Sequence, residues 1–183
     1  RQALKAGGYT LFFRHGTGDS CSDDLTQGKA SNPTTPNWWK SCDATCGAVK
    51  VQQLDGSAST SELNGVRTFF QSSGVAVSRV LSSEFCRALT TAQGFGLSPT
   101  IEQTPALTYF VYDEADRCQD TISLLGAAPA VGTNTVHVGH TQYATPCLNL
   151  DGLVGGEAAV FKPQLGAPPR FVTRVPATGW ASL

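Results

Sequence analysis

Methionine is absent from the 183 residues, even at position 1, charge is scarce, and no long apolar run occurs. Lys and Arg (13) nearly cancel Asp and Glu (14), leaving a net charge of −1 and a charged share of 15%, against about 25% in ordinary domains. That balance excludes a nucleic-acid coat or a polybasic membrane binder, and any cationic cluster that the fold assembles stands out. Without the roughly 20 consecutive apolar residues that cross a bilayer, a soluble chain with no membrane span is expected. The missing initiator points to a processed chain that has lost a targeting segment or its first residue, or else to a trimmed one. Walker loops, dinucleotide fingerprints and nucleophile-elbow serines are missing too, which removes nucleotide-driven and serine-hydrolase chemistry.

What is present is enough for a packed core: 40% of residues are hydrophobic, and the length suits one domain over residues 1–183. Six cysteines in a Ser/Thr/Gly-rich chain favour an oxidising compartment, periplasmic or secreted, with up to three disulfides. Six cysteines allow about 15 complete pairings, and only Cys42 and Cys46 are close enough to suggest a local relationship. With no histidine pair nearby, their spacing is poor for zinc, and neither a metal nor a cofactor is expected.

Tyr9 to Phe13 reads as a short buried strand ending at Arg14-His15-Gly16. From about residue 20 to 58 the chain is polar and irregular, with Pro33, Pro36, Cys21, Cys42, Cys46 and the pair Trp38-Trp39, a loop insertion that local disulfides would staple. Trp38 and Trp39 suit a core or a substrate entrance equally. Ser59-x-x-Glu62 has capping-box spacing, and Leu63, Val66 and Phe70 follow at helical intervals up to Gly74. Val75 to Leu81 reads as a strand, then Ser82 and Ser83 as N-caps of a helix with Phe85, Ala88, Leu89 and Ala92 on its buried stripe and Arg87 pointing away from Phe85. Ala115 to Leu125 is helical in spacing and Thr135 to Gly139 a strand ending at His140. Ala158 to Phe161 and Arg170 to Val175 flank a Pro/Gly-rich connector as an antiparallel pair. The expectation is an α/β protein, a three-layer α/β/α sandwich on a mostly parallel mixed sheet with an antiparallel edge.

In open α/β sheets reacting groups gather at the carboxyl ends of the strands. Three strands here end in Arg14-His15, in Ser82-Ser83 with Arg87 one turn on, and in His140. Two histidines and two arginines at one edge suit a phosphoryl dianion, because guanidinium forks give paired, charge-assisted hydrogen bonds and stay ionised at ordinary pH. The amino end of the Ser83-capped helix would add to this field. Neighbouring cations would keep His15 neutral and nucleophilic. His137 alternates with Val136 and Val138, and a satisfied structural histidine is expected there. Cys86 reads as a buried thiol or half-cystine.

Phe13-Arg14-His15-Gly16, then Leu81-Ser82-Ser83-Glu84-Phe85-Cys86-Arg87-Ala88 through Thr91-Ala92, then Val138-Gly139-His140 resemble the successive signatures of the histidine phosphatase (phosphoglycerate mutase-like) superfamily. The stretch Gly156-Glu157-Ala158-Ala159-Val160-Phe161 resembles its smaller periplasmic or secreted bacterial members. The resemblance implies a metal-independent phosphatase in which His15 is phosphorylated, His140 donates to the phosphoryl oxygens, and Arg14 and Arg87 clamp them. The chain departs from the pattern in two places. Thr17-Gly18-Asp19 follows the Arg-His-Gly, so that a phosphate-binding hydroxyl comes from Thr17 or not at all, and no carboxylate matches the family's proton donor. Glu102, Asp113, Glu114 and Glu157 compete for that role, with Glu157 first and Glu84 a further possibility; a good leaving group needs no strong acid. The implied partner is a small phosphorylated substrate. The rivals are a phosphomutase, a noncatalytic phosphate- or glycan-binding module, and a protein phosphohistidine phosphatase.

Overall fold

The computed structural model describes all residues except 44, 109–110, 113–114 and 142–146. In chain order its regular elements are α1 (Gln2–Ala6), β1 (Thr10–Arg14), α2 (Gly56–Ser73), β2 (Val77–Ser82), α3 (Cys86–Gly94), β3 (Ile101–Gln103), α4 (Arg117–Gly126), β4 (Asn134–Gly139), β5 (Ala158–Gln164) and β6 (Ala167–Val175), with short 3-10 turns between some of them. The strands form one sheet in the order β3-β2-β4-β1-β5-β6. The first four run parallel, and β5 and β6 close the other edge antiparallel. None of the described helices is long and apolar enough to cross a membrane.

Alternation along the strands builds two cores, one on each side of the sheet. Leu11, Phe13, Val80, Val136, Val138 and Val160 face Leu63 and Val66 of α2 and Ala88 and Ala92 of α3, whereas Phe12, Leu81, Ala159 and Phe161 face Leu125 of α4. The result is the three-layer α/β/α sandwich. Trp180, in the terminal 3-10 turn Ala177–Ser182, seals the first core, stacking on Phe13 at 5.2 Å and meeting Phe69 at 5.1 Å.

Local chemistry moves several boundaries from their expected places. Helix α2 begins four residues earlier than the Ser59 capping box predicts, because Asp55 is the N-cap: its Oδ1 accepts from Ser57 N and Ala58 N, both at 2.9 Å. One carboxylate oxygen thus satisfies two of the free N–H groups at the helix start, and Ser59, already inside the first turn, bonds back to the Asp55 carbonyl instead. The helix ends at Gly74 as expected, in the left-handed conformation at φ 70°. Ser83 does not cap α3; the position before it is Phe85, and the Ser83 hydroxyl is turned toward His140 and Thr108. The expected connector is itself strand, and Pro163, Pro168 and Pro169 are tolerated because β1 stops pairing with β5 at Phe161, leaving only β6 beyond.

The excursion leaves β1 and returns beside itself, joined by the Gly18–Leu54 bridge and by Asp24 N donating to Lys50 O at 2.8 Å. Cys42 and Cys46 do not pair with each other: the bonds are Cys21–Cys46, Cys42–Cys86 and Cys118–Cys147. Trp38 and Trp39 are core, buried with Val51, Phe85 and Val111 in a third apolar cluster. The excursion is thus fastened to α3 both covalently and by packing.

Candidate active site

Because β1, β2 and β4 are parallel neighbours, their carboxyl ends open on one edge. Past the end of β1 the chain stays beside β4, with His15 N donating to Gly139 O at 3.0 Å. That bond sets His15 against His140, the next residue after Gly139, with ring centroids 5.1 Å apart and an interplanar angle of 66°. Arg87 enters from the first turn of α3, and its Nε donates to His15 Nε2 at 3.2 Å. Thr91, one turn further along α3, ties helix to loop: its Oγ1 accepts from Gly16 N at 3.0 Å and donates to Arg87 O at 2.7 Å. Arg14 at the end of β1 lies close enough for its charge to act on both imidazoles. Its Nη1 donates to Leu153 O at 3.1 Å, and its Nε is buried without an acceptor among the described residues. The four side chains read from three distant segments therefore share one site.

Both histidines are buried, and that burial, more than any neighbour, holds their pKa values well below 6.5, with the Arg87 charge next in effect. The tautomer of His15 is fixed from two sides. Its Nδ1 meets the Gly16 carbonyl at 2.7 Å, and a carbonyl only accepts, so the ring hydrogen is on Nδ1. Nε2 then carries the lone pair, which is why it receives the Arg87 Nε–H. His140 is held by Ser83, with Nε2 to Oγ 2.9 Å, and by a T-shaped contact with the Phe85 ring, centroids 5.2 Å apart. Phe85 also lies under Arg87, whose guanidinium carbon sits 4.3 Å from the ring centroid. The expectation that Arg87 turns away from Phe85 fails because Phe85 precedes the helix, while Arg87 does reach the pocket.

The remaining expected residues are placed differently. Thr17 gives its backbone N–H and its hydroxyl to Glu62, at 2.7 and 2.5 Å, so its hydroxyl hydrogen is not offered to a phosphate. Glu157 is clamped by Arg174, both of whose contacts are 2.7 Å, and accepts from Val154 N at 3.0 Å. Burial works to raise its pKa, but these bonds prevail and lower it, leaving a carboxylate with no proton to give. Glu84 faces the excursion, accepting from Trp39 Nε1 at 3.0 Å, Tyr112 OH at 2.5 Å and Lys40 Nζ at 2.8 Å; its pKa is likewise lowered against the opposing effect of burial. Glu102 pairs with Arg79 at 2.7 Å on an exposed surface. Asp113 and Glu114 lie outside the described residues. His137 is buried on the opposite side of the sheet from Val136 and Val138, but its Nδ1 has no partner among the described residues; it is structural without being satisfied.

One side chain at the site was not read from the sequence. Asp23, from the excursion, grips the outer nitrogens of Arg87 at 3.0 and 2.9 Å. Neither periodicity nor a motif marks it, since a contact across 64 positions between a loop and a helix leaves no local trace.

Several solved structures match over nearly their whole length. The protein histidine phosphatase SixA, solved with tungstate, superposes with a TM-score of 0.62 at 16% identity, covering 93% of this chain and 97% of that one. Phosphoserine phosphatase from Entamoeba histolytica, solved with 3-phosphoglyceric acid, gives a TM-score of 0.54 at 12% identity over 91% and 95%. The chain has the histidine phosphatase fold. No protein-family model and no curated protein matches the sequence itself. In this histidine phosphatase fold, the edge shared by β1, β2 and β4 carries the cationic pocket, and the excursion walls its Arg87 side.

Proposed function

We propose that the protein is a metal-independent phosphatase acting on phosphomonoesters or related phosphoryl compounds through a phosphohistidine at His15. The observation that carries this reading is the fixed lone pair on His15 Nε2, buried, neutral, met by the Arg87 guanidinium and within reach of the Arg14 charge. Arg14, Arg87 and His140 bind the phosphoryl oxygens, and Nε2 attacks phosphorus opposite the departing oxygen. As the N–P bond forms and the P–O bond breaks, positive charge develops on the imidazole. The Nδ1–H bond to the Gly16 carbonyl stabilises it. Water then takes the phosphoryl group from Nε2 and restores the neutral ring. Among the described candidates Glu84, Glu102 and Glu157 are ionised and engaged elsewhere, which supports a leaving group that needs little protonation, such as an aryl ester, an anhydride or a phosphohistidine. A small phosphorylated substrate is the implied partner. Three disulfides support a periplasmic or secreted location.

The test is a single turnover with radiolabelled phosphoryl donors, quenched in alkali, where phosphohistidine survives. Wild-type protein is expected to carry the label at His15 and His15→Ala none, with chelator making no difference. Wild-type protein that takes no label from any donor, or near-native turnover in His15→Ala, refutes the reading.

A further inference from the structure

Arg87 carries five N–H groups in one plane, and its surroundings divide them between two edges. On the far edge Nη1 donates to Asp23 Oδ1 at 3.0 Å and to the Gln52 carbonyl at 3.2 Å, and Nη2 donates to Asp23 Oδ2 at 2.9 Å. On the near edge Nε donates to His15 Nε2 at 3.2 Å. The fifth N–H belongs to Nη2 and runs parallel to that of Nε, because those two nitrogens share the side of the guanidinium away from Cδ. The end-on fork is thus spent on Asp23 and the second Nη1 hydrogen on the Gln52 carbonyl, while the side-on fork is turned toward the nucleophile.

Asp23 is itself held firmly enough to serve as an anchor. Its Oδ1 also accepts from Gln52 N at 2.9 Å. The ion pair is almost out of water, with Arg87 4% and Asp23 14% exposed. Two residues earlier the chain is bonded through Cys21–Cys46, and Cys42–Cys86 joins the same excursion to the residue before Arg87. The Phe85 ring below the guanidinium restrains it from tilting.

We propose that Asp23 is a positioning residue for the phosphoryl transfer, pinning the far edge of Arg87 so that its near edge presents two parallel N–H groups to a phosphoryl group on His15 Nε2. The proposal rests on the phosphohistidine reading above. Two parallel donors match two oxygens of a phosphoryl group, and that match has value only if the fork is already aimed when the charge shifts. A carboxylate sitting in the substrate's own place would instead block the near edge, and it is the far edge that Asp23 covers.

The experiment measures kcat, KM and vanadate inhibition with p-nitrophenyl phosphate for Asp23→Ala and Asp23→Asn, each alone and combined with Arg87→Ala. Asp23→Ala is expected to lower kcat about 10- to 100-fold with KM little changed, and to weaken vanadate inhibition by the same factor. Asp23→Asn, which keeps one acceptor oxygen, falls between. In the Arg87→Ala background Asp23→Ala causes no further loss, because its effect passes through that side chain. Unchanged or faster turnover in Asp23→Ala, or an undiminished further loss beside Arg87→Ala, overturns the proposal. Should Asp23→Ala not fold with its disulfides formed, Asp23→Asn carries the same criteria. If wild-type protein never labels His15, the phosphatase reading is what fails; if it does label and the Asp23 variants label at the same rate, the positioning role alone fails.

Discussion

Lysine at position 87 keeps a charge and removes a plane. Its ammonium cannot face His15 Nε2 while also bonding Asp23 and the Gln52 carbonyl, as the arginine does. Arg87→Lys is therefore expected to lower kcat about 100- to 1,000-fold with the fold intact, measured as steady-state turnover beside a thermal melt; turnover near that of wild type would show that a point charge suffices. His137 tests a different consequence of burial. Desolvation, helped by the Arg79 charge, lowers its pKa from 6.5 to about 3. Between those values the unfolded chain binds a proton that the folded one refuses, so this group's effect is absent above pH 6.5 and erodes stability as pH falls toward 3. At about 1.4 kcal/mol per pKa unit, His137→Leu, which also removes an Nδ1 without a partner among the described residues, should be favoured by about 3 kcal/mol more at pH 4 than at pH 8. Urea unfolding at the two pH values measures the difference, and equal values would mean that His137 is not held neutral.

At the scale of elements, strands and helices with a buried face were legible because their periodicity is the record of that burial. β4 and α2 follow this rule, and each strand-end residue, Arg14, His15 and His140, could be placed from it. Elements whose order comes from elsewhere left weaker traces. β3 is three residues long and largely exposed, and the last turn is fixed by one ring, Trp180, fitting among Phe13, Phe69 and Phe70. Helix starts depart from the local signal in two places: Asp55 rather than Ser59 caps α2, and the apolar Phe85 stands before α3 although Ser83 is the better local choice. In the second case tertiary contact decides, since the Ser83 hydroxyl serves His140 and Thr108. The carboxylates were least legible of all, because Glu62, Glu84 and Glu157 look alike in sequence and differ only in the partners that folding brings, Thr17, Lys40 and Arg174.

For the whole molecule, the disulfides do two jobs that can be separated. They span 25, 44 and 29 positions, and in the chain-entropy view each such loop contributes about 3 to 4 kcal/mol by restricting the unfolded chain, comparable in total to the net stability of a domain, about 5 to 15 kcal/mol. All three should therefore matter to thermal stability. Only two join the excursion that holds Asp23, and Cys42–Cys86 reaches the residue beside Arg87. Cys118–Cys147 instead ties α4 to the chain beyond β4. Removing either cross-link by paired Cys→Ser changes is expected to lower Tm by about 10 °C. The activities should part company: Cys42→Ser with Cys86→Ser loosens the Arg87 anchor and lowers kcat, whereas Cys118→Ser with Cys147→Ser leaves kcat near that of wild type when assayed well below its Tm. Thermal melts and turnover of the two double variants, with fully reduced wild-type protein as the lower bound, check this. Equal losses of kcat in both would mean that the disulfides act on the pocket only through global stability.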